Sequence, residues 1–122
     1  MNIGQHAELT RTFTAADLRE YAAVSGHRYA GGRIPDPLIG ALFSCLLGVR
    51  LPGLGTMYLK QETRFLADAA IGETLTARVE ITRLRPERHL VDLATTCRNG
   101  AGDLLAEGRA LVYVRDVVSR NS

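Results

Sequence analysis

Tryptophan is missing from this chain, and cysteine occurs only as Cys45 and Cys97. The two thiols lie far apart, inside apolar segments and outside any CxxC motif. They argue against a disulfide framework or a thiolate metal site, and both are expected as small buried hydrophobes in a reducing, cytoplasmic setting. Long apolar runs are missing too. Nothing approaches the roughly 18 apolar residues of a membrane span, and the opening MNIGQHAELTRTF lacks a basic start followed by an apolar stretch. No membrane partner is expected. Charge of one sign is also scarce: Lys+Arg 15 against Asp+Glu 13 leaves a formal +2, too little for a general nucleic-acid surface. Every cation except Lys60 is arginine. Arginine suits bidentate phosphate contacts, but an ordinary solvated surface is the simpler reading.

What the chain does have is apolar content. With 122 residues and 46% hydrophobic side chains it is expected to form one domain, residues 1–122, with a real core. A chain this short buries a modest share of its surface, so completion by a second copy is expected. Thr14-Ala15-Ala16-Asp17 has capping-box spacing and is followed by Leu18, Tyr21 and Ala22 on one stripe, which predicts a short helix ending at Ser25. Gly26 suits the left-handed residue that closes it, and Gly31, Gly32, Pro35 and Pro37 mark an irregular loop. Asp36-Pro37 reads as an N-cap followed by proline at the first helical position. The second helix carries Leu38, Ile39, Leu42, Phe43, Leu46 and Leu47 and meets no charge before Arg50, so it is expected to be wrapped by other elements.

After the turn Leu51-Pro52-Gly53-Leu54-Gly55 the period changes to two. Met57, Leu59 and Phe65 alternate with Tyr58, Lys60, Glu62 and Arg64, which predicts a half-buried strand. Leu75, Ala77, Val79 and Ile81 form the inward row of the clearest strand, closed by a turn at Arg85-Pro86-Glu87-Arg88. Residues 89–98 and 104–114 give two more strands, joined by Asn99-Gly100-Ala101-Gly102, where Asn-Gly favours positive φ angles. A short helix, a long apolar helix and four strands in an antiparallel meander make an α+β protein whose sheet can curl around its helix. That is the hotdog arrangement, although periodicity leaves other α+β sandwiches open.

The stretch LFSCLLGVRLPGLGTMYLKQETRFLADAAIGETLTARVEITRL, residues 42–84, resembles MaoC-like proteins and the (R)-specific enoyl-CoA hydratases. The marks are the LPG-x-G turn at Leu51 to Gly55, the strand with Tyr58 and Phe65, and the Gly72-Glu73 corner. Weaker similarity reaches Val114, and IGQHAELTRTFTAADLREYAAVSG resembles the family's opening helix. The resemblance implies a hotdog fold and an acyl-CoA or acyl-carrier-protein thioester as ligand, with no cofactor and no metal. It also implies a catalytic Asp and His on an overhanging segment after the Ser-Gly that ends the first helix. Here Ser25-Gly26 runs directly into HRYAGGRIPDPLIG, and that segment is missing. HRYAGGRIPDPLI resembles the HFPGRP-x-MPG-x-LI segment of 3-hydroxyacyl-carrier-protein dehydratases, with His27 eight positions before Pro35. In those enzymes the His works with a carboxylate of the opposite protomer's long helix, at a position matching Ala41.

Two candidate catalytic residues follow. His27 could act as a general base on a loop, since imidazole titrates near neutrality; the plain alternative is an exposed loop histidine. Asp36 could supply a carboxylate, but a helix cap is the preferred reading. His6 and His89 at element edges read as solvated, and Cys45 has no helper nearby in sequence. Arg33, Arg50 and Lys60 suit either phosphate contacts or a solvated face. The favoured function is an acyl-thioester subunit of a dimeric hydratase or dehydratase, a homodimer or a heterodimer whose second hotdog subunit supplies the missing acid/base groups. A non-catalytic acyl-thioester binding protein, and a rearranged hotdog thioesterase or cyclase using Asp36 or His27, are the alternatives.

Overall fold

The computed structural model describes residues 1–25, 33–53 and 56–115. Strand β1 (His6–Thr12) leads into helix α1 (Ala15–Ser25), and α2 (Asp36–Cys45) continues as a π-helical turn, Leu46–Arg50. Strands β2 (Thr56–Phe65), β3 (Thr74–Arg85), β4 (Leu90–Arg98) and β5 (Leu104–Val114) complete the chain, with a 3-10 turn at Pro86–Arg88. All five strands form one antiparallel sheet in the order β1-β3-β4-β5-β2.

The sheet therefore corrects the expected four-strand meander. Only β3, β4 and β5 follow one another in space; β2 lies beyond β5, and β1 adds a fifth strand beside β3. The sequence HAELTRT hides this strand because an edge position inserts only Ala7 and Leu9 partway into the core. The central strands behave as their alternation predicts: Leu75, Ala77, Val79, Ile81, Val91, Leu93, Cys97, Ala106, Val112 and Val114 are fully buried. Against this row packs α2, through Ile39, Leu42 and Phe43, followed by Leu46 and Leu47 of the π turn. Burial of such side chains is worth roughly 1.5–3 kcal/mol each, so this layer carries most of the fold's stabilisation.

The wrap is incomplete. Ala41, Cys45 and Val49, on the other side of the same helix, are exposed, so Cys45 is not the buried residue expected, whereas Cys97 is. Strand β2 is not half-buried either: Met57, Tyr58, Leu59 and Phe65 are all exposed, with Met57 at 62%. The cause is position, because β2 is an edge strand paired on one side only and a register shift between Tyr58 and Lys60 interrupts its alternation.

Local turns follow side-chain chemistry. In the capping box, Thr14 N–H donates to the Asp17 carboxylate at 2.8 Å and Asp17 N–H donates to Thr14 Oγ1 at 3.2 Å. That backbone donor, followed by the Thr14 hydroxyl and Arg11, holds the Asp17 carboxyl below its ordinary 3.8. A depressed carboxyl stabilises the fold above its unfolded-state value and loses that contribution as pH falls through the folded-state value. Helix α1 is thus expected to loosen below about pH 4, and Asp17→Asn to flatten this acid dependence in far-ultraviolet dichroism. At the β4–β5 hairpin, positive φ falls on Gly102 (88°) and not on Asn99-Gly100. Gly102 N–H donates to Asn99 O, while Asn99 Oδ1 accepts from Ala101 and Asp103, giving a type I turn closed by a left-handed glycine. Gly72, at φ 90°, forms the corner before β3. No helix among the described residues is long and apolar enough to cross a membrane.

Candidate functional site

The exposed side of α2 faces α1 across a groove of about 380 Å³. Its floor is Leu9 and Phe13 from the β1 end and Leu38 and Leu42 from α2; Ala41 and Cys45 form one wall, Tyr21 and Val24 the other. The position matching the opposite-protomer carboxylate of the dehydratases, Ala41, therefore lies in this groove. Arg11, Asp17 and Glu20 stand at the rim. Arg11 is committed there: it contacts Asp17 at 3.3 Å and lies 4.8 Å over the Phe13 ring.

A slightly larger depression, about 420 Å³, lies on the outer sheet face among Glu62, Arg64, Glu107 and Arg109. Its cations are already matched, Arg64 by Glu107 and Arg109 by Glu62. It has the character of a solvated, charge-paired surface. The smaller groove has the mixture of apolar lining and few polar rim groups that ligand sites share.

Of the two catalytic candidates, His27 lies outside the described residues, as does Gly26. Asp36 is described, and it does not cap α2. The cap position is Pro35, which has no side-chain donor or acceptor, and Asp36 opens the first turn of the helix. Its carboxylate instead meets Arg33 at 3.2 Å, and Arg33 also reaches Asp68 at 2.9 Å. The reason is that Ile34 N–H bonds to Ala69 O at 2.8 Å, which draws the chain before α2 against the loop carrying Asp68. Asp36 is not among the groove-lining residues.

The other singled-out residues have local duties. Arg50 donates to Glu8 O at 2.7 Å, tying the π turn to β1, and Lys60 pairs with Glu62 at 3.0 Å. His89 is half-buried, contrary to the solvated reading. It takes the left-handed conformation (φ 58°) after the 3-10 turn, with its ring tilted on Tyr113 at 5.4 Å. Burial pushes the Cys97 thiol up to about 11, which makes it inert. Among the described residues no three His, Cys, Asp or Glu side chains converge as metal ligands.

The sequence pattern places Tyr21 on a helix stripe but gives no role to Leu9, Phe13 or Val24. It marks Tyr58 as a strand residue and a point of family resemblance, without a contact. The Tyr58 hydroxyl donates to Ser44 O at 2.6 Å, where α2 opens into the π turn, and partial burial raises its pKa above the ordinary value of 10.0.

No protein-family model matches the chain. Over 91% of its length it is 38% identical to an (R)-specific enoyl-CoA hydratase of Rhodospirillum rubrum, of which it covers 86%. Among solved structures it superposes on the (R)-hydratase of Aeromonas caviae involved in PHA biosynthesis with a TM-score of 0.86, at 31% identity, covering 93% of this chain and 97% of that one. An R-hydratase of Pseudomonas aeruginosa gives 0.88, also at 31% identity, covering 95% and 83%. The chain belongs to the (R)-specific enoyl-CoA hydratase family. Its fold is the hotdog, with α2 and the π turn as the central helix and the five strands as the wrapping sheet. Within this family of hydratases, the segment 26–32 of this member contains one histidine, His27, and no carboxylate.

Proposed function

We propose that this family member is the acyl-thioester-holding subunit of a hydratase or dehydratase acting on 2-enoyl and 3-hydroxyacyl thioesters, one hotdog unit (residues 1–122) per protomer. The observation that carries this reading is the apolar groove along the open side of α2, in a member of a hydratase family whose segment 26–32 holds a histidine and no carboxylate. Hydration of a 2-enoyl thioester needs a base to take a proton from water as its oxygen bonds to C3. It also needs an acid to deliver a proton to C2. His27 is the base this chain can offer, and Asp36 the candidate carboxylate nine residues further along the sequence. Arg33 already engages Asp36, so a second hotdog subunit supplies the acid. The thioester handle is coenzyme A, the handle in the relatives' names. Calorimetric titration with butyryl-CoA tests the reading: saturable binding is expected, and its absence would reject it.

Dimerisation is part of the proposal. Exposed Met57, Tyr58, Leu59 and Phe65 line an edge strand with one unpaired side, and Val49 of the π turn is 65% exposed. Such an edge invites strand addition, and its apolar side chains gain by being covered. Light scattering at micromolar concentration is expected to give twice 13.3 kDa; a monomer of that mass would contradict the proposal.

A further inference from the structure

We infer that the corner between β3 and β4 is an oxyanion site that takes a phosphate group, free or as a monoester, apart from the α1–α2 groove. The groove meets the sheet at Leu9 and Arg11 of β1, and Arg11 pairs with Leu75 near the start of β3. Arg85, at the other end of β3, stands roughly 30 Å further along that strand.

Charge is concentrated at this corner. Residues 83–92 together with Arg115 set Arg83, Arg85, Arg88 and Arg115 against Glu87 and Asp92, an excess of two that equals the formal +2 of the whole chain. Val114 N–H donates to His89 O at 2.8 Å, which brings the end of β5, and Arg115 after it, to the same place. Arg85 pairs with Asp92 at 2.7 Å, whereas among the described residues no ion pair engages Arg83, Arg88 or Arg115, all three exposed.

Unused hydrogen-bonding capacity lies beside that charge. Arg85 Nε and His89 Nδ1 are buried and have no hydrogen-bond partner. Buried polar atoms are nearly always paired, so two exceptions at one corner point to a ligand. Both belong to the outer face of the sheet: Arg85 is opposite Leu90, Leu90 is opposite Tyr113, and residues paired in this way project from one side. The His89 ring tilts on Tyr113 at 5.4 Å. With strands about 4.8 Å apart, the backbones of Arg85 and Tyr113 are separated by about 10 Å, a gap that the two side chains and one tetrahedral anion above Leu90 span. Neither side chain is free to turn away. Asp92 holds the guanidinium, and His89 is fixed by its left-handed backbone (φ 58°) and by its N–H bond to Pro86 O at 3.1 Å. A phosphate monoester carries about −1.5 to −2 at pH 7 and three strong acceptor oxygens, which match the excess charge and serve Arg85, His89 and a flanking arginine together. A carboxylate brings one charge and two oxygens.

The experiment is thermal unfolding of the full chain during titration with sodium phosphate at pH 7, with ionic strength held constant by sodium chloride. A ligand that binds only the folded state raises Tm by mass action, so a saturable rise is expected with phosphate and none with acetate. His89→Gly removes the ring and suits the left-handed backbone, and Arg88→Gln disturbs no ion pair, so both are expected to fold. The first should weaken phosphate binding about tenfold or more and the second about threefold, while Arg19→Gln, exposed on α1, should leave it unchanged. Glycerol 3-phosphate separates the two sources: tighter binding than phosphate assigns the site to a monoester, weaker binding to the free ion, and either supports the site. No rise with phosphate at constant ionic strength would overturn the inference. So would a rise that persists unchanged in both His89→Gly and Arg88→Gln, which would place the anion elsewhere, or an equal rise with acetate, which would reduce the effect to unselective anion binding.

Discussion

Gly108→Ala is expected to cost at least about 3 kcal/mol and to lower Tm by roughly 10 °C or more, a loss measurable by calorimetry or thermal dichroism. Gly108 sits mid-strand in β5, opposite Thr63 of β2 and Thr95 of β4. A Cβ placed on it would lie 1.9 Å from Glu62 O and 2.9 Å from Thr63 Cα. Both are backbone atoms of the neighbouring strand, so no rotamer change relieves the overlap. Either β2 moves away from β5 or the β5 backbone distorts, and both lose ladder hydrogen bonds at the edge that carries Met57, Tyr58 and Leu59. The variant is therefore also expected to weaken any dimer formed through β2. Gly40→Ala is the control, because nothing lies within 4 Å of its added Cβ. In mid-helix that change should be neutral or stabilise by up to about 1 kcal/mol. Equal melting temperatures for Gly108→Ala and the wild type would mean that β2 does not pack over β5 as described.

The isolated homodimer is expected to hydrate 2-enoyl-CoA extremely slowly, followed by loss of the enoyl thioester absorbance. Each general acid or base contributes on the order of 10²–10⁴-fold, and the segment 26–32 offers one imidazole, His27, and no carboxylate. Reconstitution with a dyad-bearing hotdog subunit is expected to restore turnover. In that complex His27→Ala should lower it by roughly 10²-fold while leaving the melting temperature nearly unchanged, if His27 is the base. Asp36→Asn separates the two candidates. It removes the charge facing Arg33, and exposed ion pairs of this kind contribute about 1 kcal/mol or less, so folding should survive. Activity lost in Asp36→Asn and kept in His27→Ala would move the catalytic assignment to Asp36. Full hydratase rates from the pure homodimer would sink the shared-site reading.

Sequence by itself determined the elements whose pattern is local or fully buried. The inward row of Leu75, Ala77, Val79 and Ile81, the alternation of β4 and β5, and the Thr14–Asp17 capping box were all legible, because strand period and cap chemistry are set within a few residues. The apolar run from Leu38 to Leu47 likewise announced a central helix, and residues 42–84 announced the family. Tertiary structure alone decided the rest. Whether an apolar alternation is buried depends on which strand lies beside it, so β2, with the pattern of a half-buried strand, became an exposed edge once β5 and not β3 was its neighbour. Asp36, a cap by its sequence, became the partner of an arginine because the loop carrying Asp68 and Ala69 lies against the helix start. The groove could not be read at all: Leu9, Phe13, Tyr21, Val24, Leu38 and Cys45 come from β1, the link after it, α1 and α2 with no shared period, and only the folded chain brings them to one groove.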